Sequence, residues 1–420
     1  MPFSSSLNKF FIFSLVMYFV VAFGVSTCSA QLLNQNEKPE PPPKNVALEY
    51  PLEKIDAMTL DQLTAELAKV VPEFRQAVKA MLSARTRFEH AAKNESYGYG
   101  KSWRENAIIG QTAYQKIKEL SMAIYLKAEK PTDEQFTMAF RMLLASADEG
   151  RIGIANRVLK KMMEEHADDE QVWINAGRIA VFTNDCEPAN QLLQRKPAII
   201  EKFSRQGKVL FAGLEEFSKR WAKEKAIRKA EAEADDLPRV ELTTSKGKIV
   251  IELFENEAPH TVGNFIHLVE SGFYSEMFFH QVLRNFRSQV GLFSKKGMSP
   301  TDYEIVNESN ADNARNIFRG TIATLPKGST AGAAEFSIYS APNPFASDDY
   351  EETVFGRVIS GMDVVDILKV NSRFAKGGSV SEHIKPKQGD MPDDYILSAK
   401  VLRKRPNVNY QPKKLASSKK

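Results

Sequence analysis

The sequence predicts a multidomain chain: an all-α region followed by a closed antiparallel β-barrel with helices. Three observations predict it. Residues 50–236 are sparse in glycine and proline and rich in Ala, Leu, Glu, Lys and Met, the residues that lose least on entering a helix. From Arg239 the apolar period changes from about 3.6 to 2, the repeat of a strand with one buried face. Pro238 separates the two regions, because it cannot continue a helical hydrogen-bond ladder and disfavours helix in the residue before it.

The 420 residues include 26% charged residues and carry a formal net charge of +4. This is a globular composition, with length for two or three domains. Lys and Arg form no dense basic stripe interleaved with aromatics, so nucleic acid is not an expected partner. Residues 403–420 read as a short basic tail, solvated rather than packed.

Lys9 is the only positive charge before the apolar run 10–25, and the small residues "STCSA" precede Gln31. Residues 1–30 therefore read as an export signal cleaved after Ala30, which predicts an exported, periplasmic or extracytoplasmic protein. The run is slightly long for a signal core and short for a membrane span, so contact with a membrane requires that the segment stay uncleaved. Cleavage removes Cys28 and leaves Cys186, so no internal disulfide is expected. Residues 31–49 read as a linker, with prolines at 39 and 41–43 favouring extended geometry.

Within 50–236, "LDQLTAELAKVV" places Leu60, Leu63, Leu67 and Val70 at helical spacing. Two later segments, "MLLASADEGRIGIANRVLKK" and "GRIAVFTNDCEPANQLLQR", share Ala155/Ala189 and Leu159/Leu193, each pair 34 residues apart. Trp173, Ala176, Gly177, Ala189 and Leu193 resemble the packing positions of tetratricopeptide-type repeats. The upstream "DEQ" copies, at Asp133 and Asp169, lie 36 apart, so a tetratricopeptide-like array and a plain helical bundle both remain open. Residues 214–236, "LEEFSKRWAKEKAIRKAEAEADD", read as a charged helix with little apolar surface to bury. Residues 239–402 are accordingly expected to fold alone.

Beyond the boundary, "RVELTT" and "GKIVIELF" are strands joined by "SKG". "APHTVGNFIHLVESGFY" is a helix with Thr261 as its cap and Val262, Phe265, Leu268 and Val269 facing inward. "MFFHQVLRNFRSQVGLF" alternates like a strand, yet keeps Gln281 and Gln289 among aromatics. One helix amid many short strands predicts a closed, plugged barrel.

These blocks carry a resemblance. Residues 239–402 resemble the cyclophilins, the barrel-shaped peptidyl-prolyl cis-trans isomerases. "FFHQVLRNFRSQVG" is similar to the family's Phe-His-Arg-Val-Ile…Phe-Met…Gln-Gly-Gly stretch. "GTIATL" falls on its Gly-Thr-Ile-Ala-Met-Ala, "AAEFSIY" on its Ser-Gln-Phe-Phe-Ile, and "TVFGRVISGMDVVDIL" closes the domain. The resemblance implies a pocket of Gln281, Phe286 and Gln289 as catalytic positions, with Leu325, Glu335, Ser337 and Phe345 lining the substrate site. Several of these depart from the family pattern. Gln281 stands at the arginine position and Arg287 at a methionine position. Val290-Gly291 replaces a Gly-Gly pair, and Thr324-Leu325 replaces Met-Ala. Glu335 replaces a glutamine and Ser337 a phenylalanine, Phe345 takes the tryptophan position, and Tyr350 is the nearest candidate for the family's histidine.

Isomerising an X–Pro bond needs no covalent step. The barrier of about 20 kcal/mol comes from amide resonance, and a catalyst has to bind the twisted amide better than either planar form. That takes an apolar slot for the proline ring and a preorganised donor for the amide, for which a guanidinium is well suited. Gln281 offers only a neutral donor, and charge-assisted bonds are roughly twice as strong, which predicts weakened activity. His280 reads as a packing residue, since the reaction needs no acid or base. Glu335 either pairs with Arg287 across the pocket or stays solvated. No metal site and no cofactor is expected. The resemblance implies proline-containing polypeptide clients and assistance to folding. The alternative is a non-catalytic peptide-binding, chaperone or scaffold protein, with a protein partner on the helical region.

Overall fold

The computed structural model describes residues 52–90, 93–202, 208, 211–298, 301–327, 329–342, 351–370 and 394–416. The expected export signal and linker, Phe345 and Tyr350 lie outside them. The described residues divide into two compact units, 59–120 in one and 52–58 with 121–416 in the other.

In the first unit, α2 (Leu60–His90) carries buried Leu63, Val70, Phe74 and Met81 along one face. These positions recur at helical spacing, as the sequence pattern predicts. Phe74 lies 6.0 Å from Tyr114 of α3 (Lys93–Lys127), whose residues from Ser121 onward belong to the second unit.

The second unit opens with α1 (Leu52–Ala57) and continues through α4 (Asp133–Asp148), α5 (Ile152–Glu165), α6 (Glu170–Ala180), α7 (Glu187–Arg195) and α8 (Leu214–Ala234). Thr132 and Gln135 form a reciprocal capping box at the start of α4, and Asp169 caps α6 through Gln171 N and Val172 N. The two "DEQ" copies thus sit in different phases of their caps. A Cβ on Gly177 of α6 would meet Leu192 Cδ2 of α7 at 2.5 Å, so the missing side chain sets how closely these helices approach.

Eight antiparallel strands then close a barrel in the order β8-β7-β9-β2-β1-β10-β3-β4, with β4 returning to β8. They are β1 (Arg239–Thr244), β2 (Gly247–Leu253), β3 (Met277–Leu283), β4 (Arg287–Ser294), β7 (Thr321–Lys327), β8 (Thr330–Tyr339), β9 (Val354–Ser360) and β10 (Tyr395–Arg403). Short strands β5 (Gly297–Met298), β6 (Tyr303–Val306) and β11 (Leu415–Ala416) extend the sheet beyond the ring. Helix α9 (Pro259–Glu270) sends Val262, Phe265 and Val269 into the core, where Phe265 meets Phe336 edge to face at 5.3 Å. Short α10 (Met362–Asp366) follows β9.

Four expectations need correction. Thr261 is not the cap of α9: the N-cap is Ala258, with Pro259 at the first position. Glu308 does the capping from across the chain, accepting from His260 N, Thr261 N and Thr261 Oγ1 at 3.1, 2.9 and 2.7 Å. The stretch 277–293 is two strands rather than one, broken at a turn where Asn285 takes φ 54°. The charged helix α8 buries Leu214 and Phe217, and Phe318 of the barrel lies 5.6 Å from Phe217 and 5.0 Å from Trp221. The basic tail is mostly exposed as far as Ala416, as expected, but it is anchored at two points. Tyr410 is buried in the barrel core and donates to Glu255, while β11 pairs with β6.

Candidate functional site

The site forms on the outer face of the barrel, where β3, β4, β8 and β7 lie side by side. Two local features aim its residues. A β-bulge at His280 shifts the register of β3, so that Phe279 stays in the core opposite Val290 while Gln281 comes opposite Gln289. Gly291 takes φ +112°, and a Cβ there would stand 2.1 Å from Ala334 O. This close approach of β4 to β8 requires glycine, whereas Val290 fills the core where the family has a second glycine.

The registers then set four positions in a row: Gln281 on β3, Gln289 on β4, Ser337 on β8 and Ala323 on β7. Alternation places these side chains on one face, opposite the core face of Phe336 and Ile338. Phe286 leads into β4, half-buried, with its ring 5.8 Å from Tyr339 in an edge arrangement.

Gln281, Phe286, Gln289, Glu335 and Ser337 therefore share this face. Leu325 is half-buried in a bulge of β7, two residues beyond Ala323, which is the residue that completes the row. Ser337 does not leave an open hollow. It is fully buried, and its hydroxyl has no hydrogen-bond partner among the described residues. Glu335 lies 3.4 Å from His280 Nε2, and buried His280 packs its ring 5.8 Å from Phe293. This favours the packing role expected for His280.

Three residues form a cluster that the sequence did not bring together. Arg287, two residues before Gln289 on the same face of β4, donates from Nη1 to Glu352 at 2.7 Å and to the Tyr339 hydroxyl at 3.4 Å. Tyr339 in turn donates to the other Glu352 oxygen at 2.7 Å. The guanidinium also lies 5.1 Å from the centre of the Phe286 ring. Burial pushes the Glu352 carboxyl above its ordinary range, against the pull of Tyr339 and Arg287. A signal for Glu352 was present in the sequence: it stands directly before "TVFGRV", so counting back from that closing block reaches it before Tyr350.

Chemically, the face can offer amide donors from Gln281 and Gln289, a fixed guanidinium, and an aromatic wall from Phe286. Among the described residues no group of His, Cys, Asp and Glu could hold a metal ion, and no helix is long and apolar enough to cross a membrane.

A closed eight-stranded barrel with this row of positions is the fold and site of a prolyl isomerase domain. The family model "Cyclophilin type peptidyl-prolyl cis-trans isomerase/CLD" matches residues 239–397. The chain is 36% identical over 171 residues to peptidyl-prolyl cis-trans isomerase A of Dickeya dadantii, covering 39% of this chain and 84% of that one. It is 35% identical over 130 residues to a peptidyl-prolyl cis-trans isomerase of Helicobacter pylori, covering 30% and 78%. A crystal structure of a cyclophilin-type isomerase from Cryptosporidium parvum matches with 20% identity and TM-score 0.29 over 39% of this chain and 97% of that one. Through its C-terminal region the chain belongs to the cyclophilin-type peptidyl-prolyl cis-trans isomerase family.

Proposed function

We propose that the chain is an exported peptidyl-prolyl isomerase of reduced rate, acting on X–Pro bonds of polypeptide clients and assisting their folding. The observation that carries the reading is the register that sets Gln281 directly opposite Gln289, beside Phe286. Position 281 then faces the substrate amide with a neutral donor in place of a charged one. By analogy with deleting one oxyanion-hole donor, this lowers the rate by about 10²–10³. Export rests on residues 1–30, and client recruitment on the helical region.

Fully buried Ser337 favours a second reading, in which the barrel binds extended segments without catalysis. A protease-coupled assay on an Ala-Pro peptide decides between them. Measurable acceleration by the purified chain supports the isomerase, and none leaves the binding module. For export, N-terminal sequencing of protein from its source is expected to start at Gln31. An intact Met1 in the cytosol would refute it.

A further inference from the structure

We infer that the helical region takes part in the site: Arg284 and Asn184 are positioning residues that hold Phe286, its aromatic wall, in place. This rests on the isomerase reading above and extends its site beyond the barrel. Phe286 follows the tight turn between β3 and β4, and two routes from the helical region converge on it. The first reaches the turn just before it. Arg284 Nη1 donates at 2.7 Å to the carbonyl of Asp148, the last residue of α4. Gly150 seats the same turn: a Cβ there would stand 3.0 Å from Arg284 Cγ and 3.3 Å from Asn285 Oδ1, and its φ of +88° favours glycine. The second route arrives through the residue after β8. Ser340 N donates to Phe286 O at 2.9 Å, and Ser340 O accepts from the Arg319 guanidinium. Arg319 is itself held from the helical side. Asn184, in the loop after α6, accepts from Arg319 N at 2.7 Å and donates to Arg319 O at 3.0 Å. Asp366 binds the Arg319 fork at 2.8 and 2.6 Å and also accepts from Gly153 N of α5.

A hairpin tip is ordinarily among the more mobile parts of a sheet. Here both flanks of the tip are fastened to a second packed region, so the Phe286 ring is fixed before a ligand arrives. Less ordering is then left for the ligand to impose, and affinity rises by that amount. A proline ring meets the Phe286 wall in the planar and the twisted amide alike. The gain is therefore uniform binding, which shows in KM and in peptide Kd rather than in kcat.

The test uses the full chain with Arg284→Ala, Asn184→Ala, the double variant, and Arg284→Lys, which keeps a donor for the Asp148 carbonyl. Each is assayed on an Ala-Pro peptide for kcat and KM, for peptide Kd by calorimetry, and for thermal unfolding. The double variant is expected to raise KM and Kd about tenfold, or ~1.4 kcal/mol, with kcat little changed. Arg284→Lys is expected to stay near wild type. If the double variant does not fold, the single variants decide, at about threefold each. A merely structural tie would lower the thermal midpoint and leave KM and Kd of the folded protein unchanged. That outcome overturns the inference, as does a loss confined to kcat. A wild type that binds the peptide without turning it over overturns the isomerase reading, and Kd then decides the inference by the same criterion. A wild type that does neither overturns both.

Discussion

Arg315 grips Glu224 through two hydrogen bonds, from Nε at 3.0 Å and Nη2 at 2.8 Å, with both side chains buried. The first residue belongs to the barrel region and the second to α8, so the bond ties the two together. The same guanidinium reaches Glu231 and Glu257, and Arg357 of β9 joins Glu231 to Glu252. The charges of α8 are therefore the inner face of a network as well as a solvated surface.

Removing Glu224 takes two hydrogen bonds from buried Arg315 and leaves it Glu231 and Glu257. Glu224→Ala is expected to lower stability by about 1–3 kcal/mol, the cost of leaving buried donors unsatisfied, read as a shift in urea midpoint at unchanged slope. A midpoint equal to wild type would mean that water replaces the carboxylate without loss.

Acid should weaken the same joint. Burial alone would raise the Glu224 carboxyl, but Arg315 and Arg228 outweigh it and hold the group below the ordinary range. A carboxylate with a depressed folded pKa contributes stability that is complete above its unfolded pKa of about 4.3 and is lost as pH falls through the folded value. Stability of the wild type is expected to decline below about pH 4, and that of Glu224→Gln to decline less steeply. Parallel curves would assign the acid sensitivity to other carboxylates.

Restoring the charged donor at position 281 should raise the rate. Gln281→Arg, with Glu335→Gln to remove a competing carboxylate, is expected to increase kcat/KM at least about tenfold, a conservative share of the estimated loss. Ser337→Phe does not belong in that variant. Ser337 is fully buried between Gln289 and Ala323 in the strand row, and inserting a ring there overpacks the site at a cost of about 1–3 kcal/mol. Equal kcat/KM in a folded Gln281→Arg/Glu335→Gln protein would show that the new guanidinium does not reach the substrate amide.

Residues 239–402 expressed alone should keep most of the core of the barrel, because every residue of that cluster except Tyr410 lies within the span. The fragment lacks the partners of Arg315 and Phe318 on α8 and loses Tyr410 from the core. Its thermal midpoint is expected to fall below that of residues 121–420. Equal midpoints would mean that α8 and the segment after β10 contribute nothing to barrel stability.

Local chemistry made much of this protein legible before folding. The change of apolar period at Arg239 announced strands, Pro238 ended the helices, and the quoted blocks led to the barrel and to Gln281, Phe286 and Gln289. Each of those signals lies within a few residues of what it determines. Partners that close through space carry no such signal. Glu308 caps α9 from 47 residues away, Glu352 holds Arg287 from 65, and Glu224 meets Arg315 across 91. A charged helix reads the same whether its acids face water or a buried guanidinium, and an arginine reads the same whether its fork is bound or exposed. Burial decides between those states through desolvation and pairing, and burial is set only when the strands close and α8 docks.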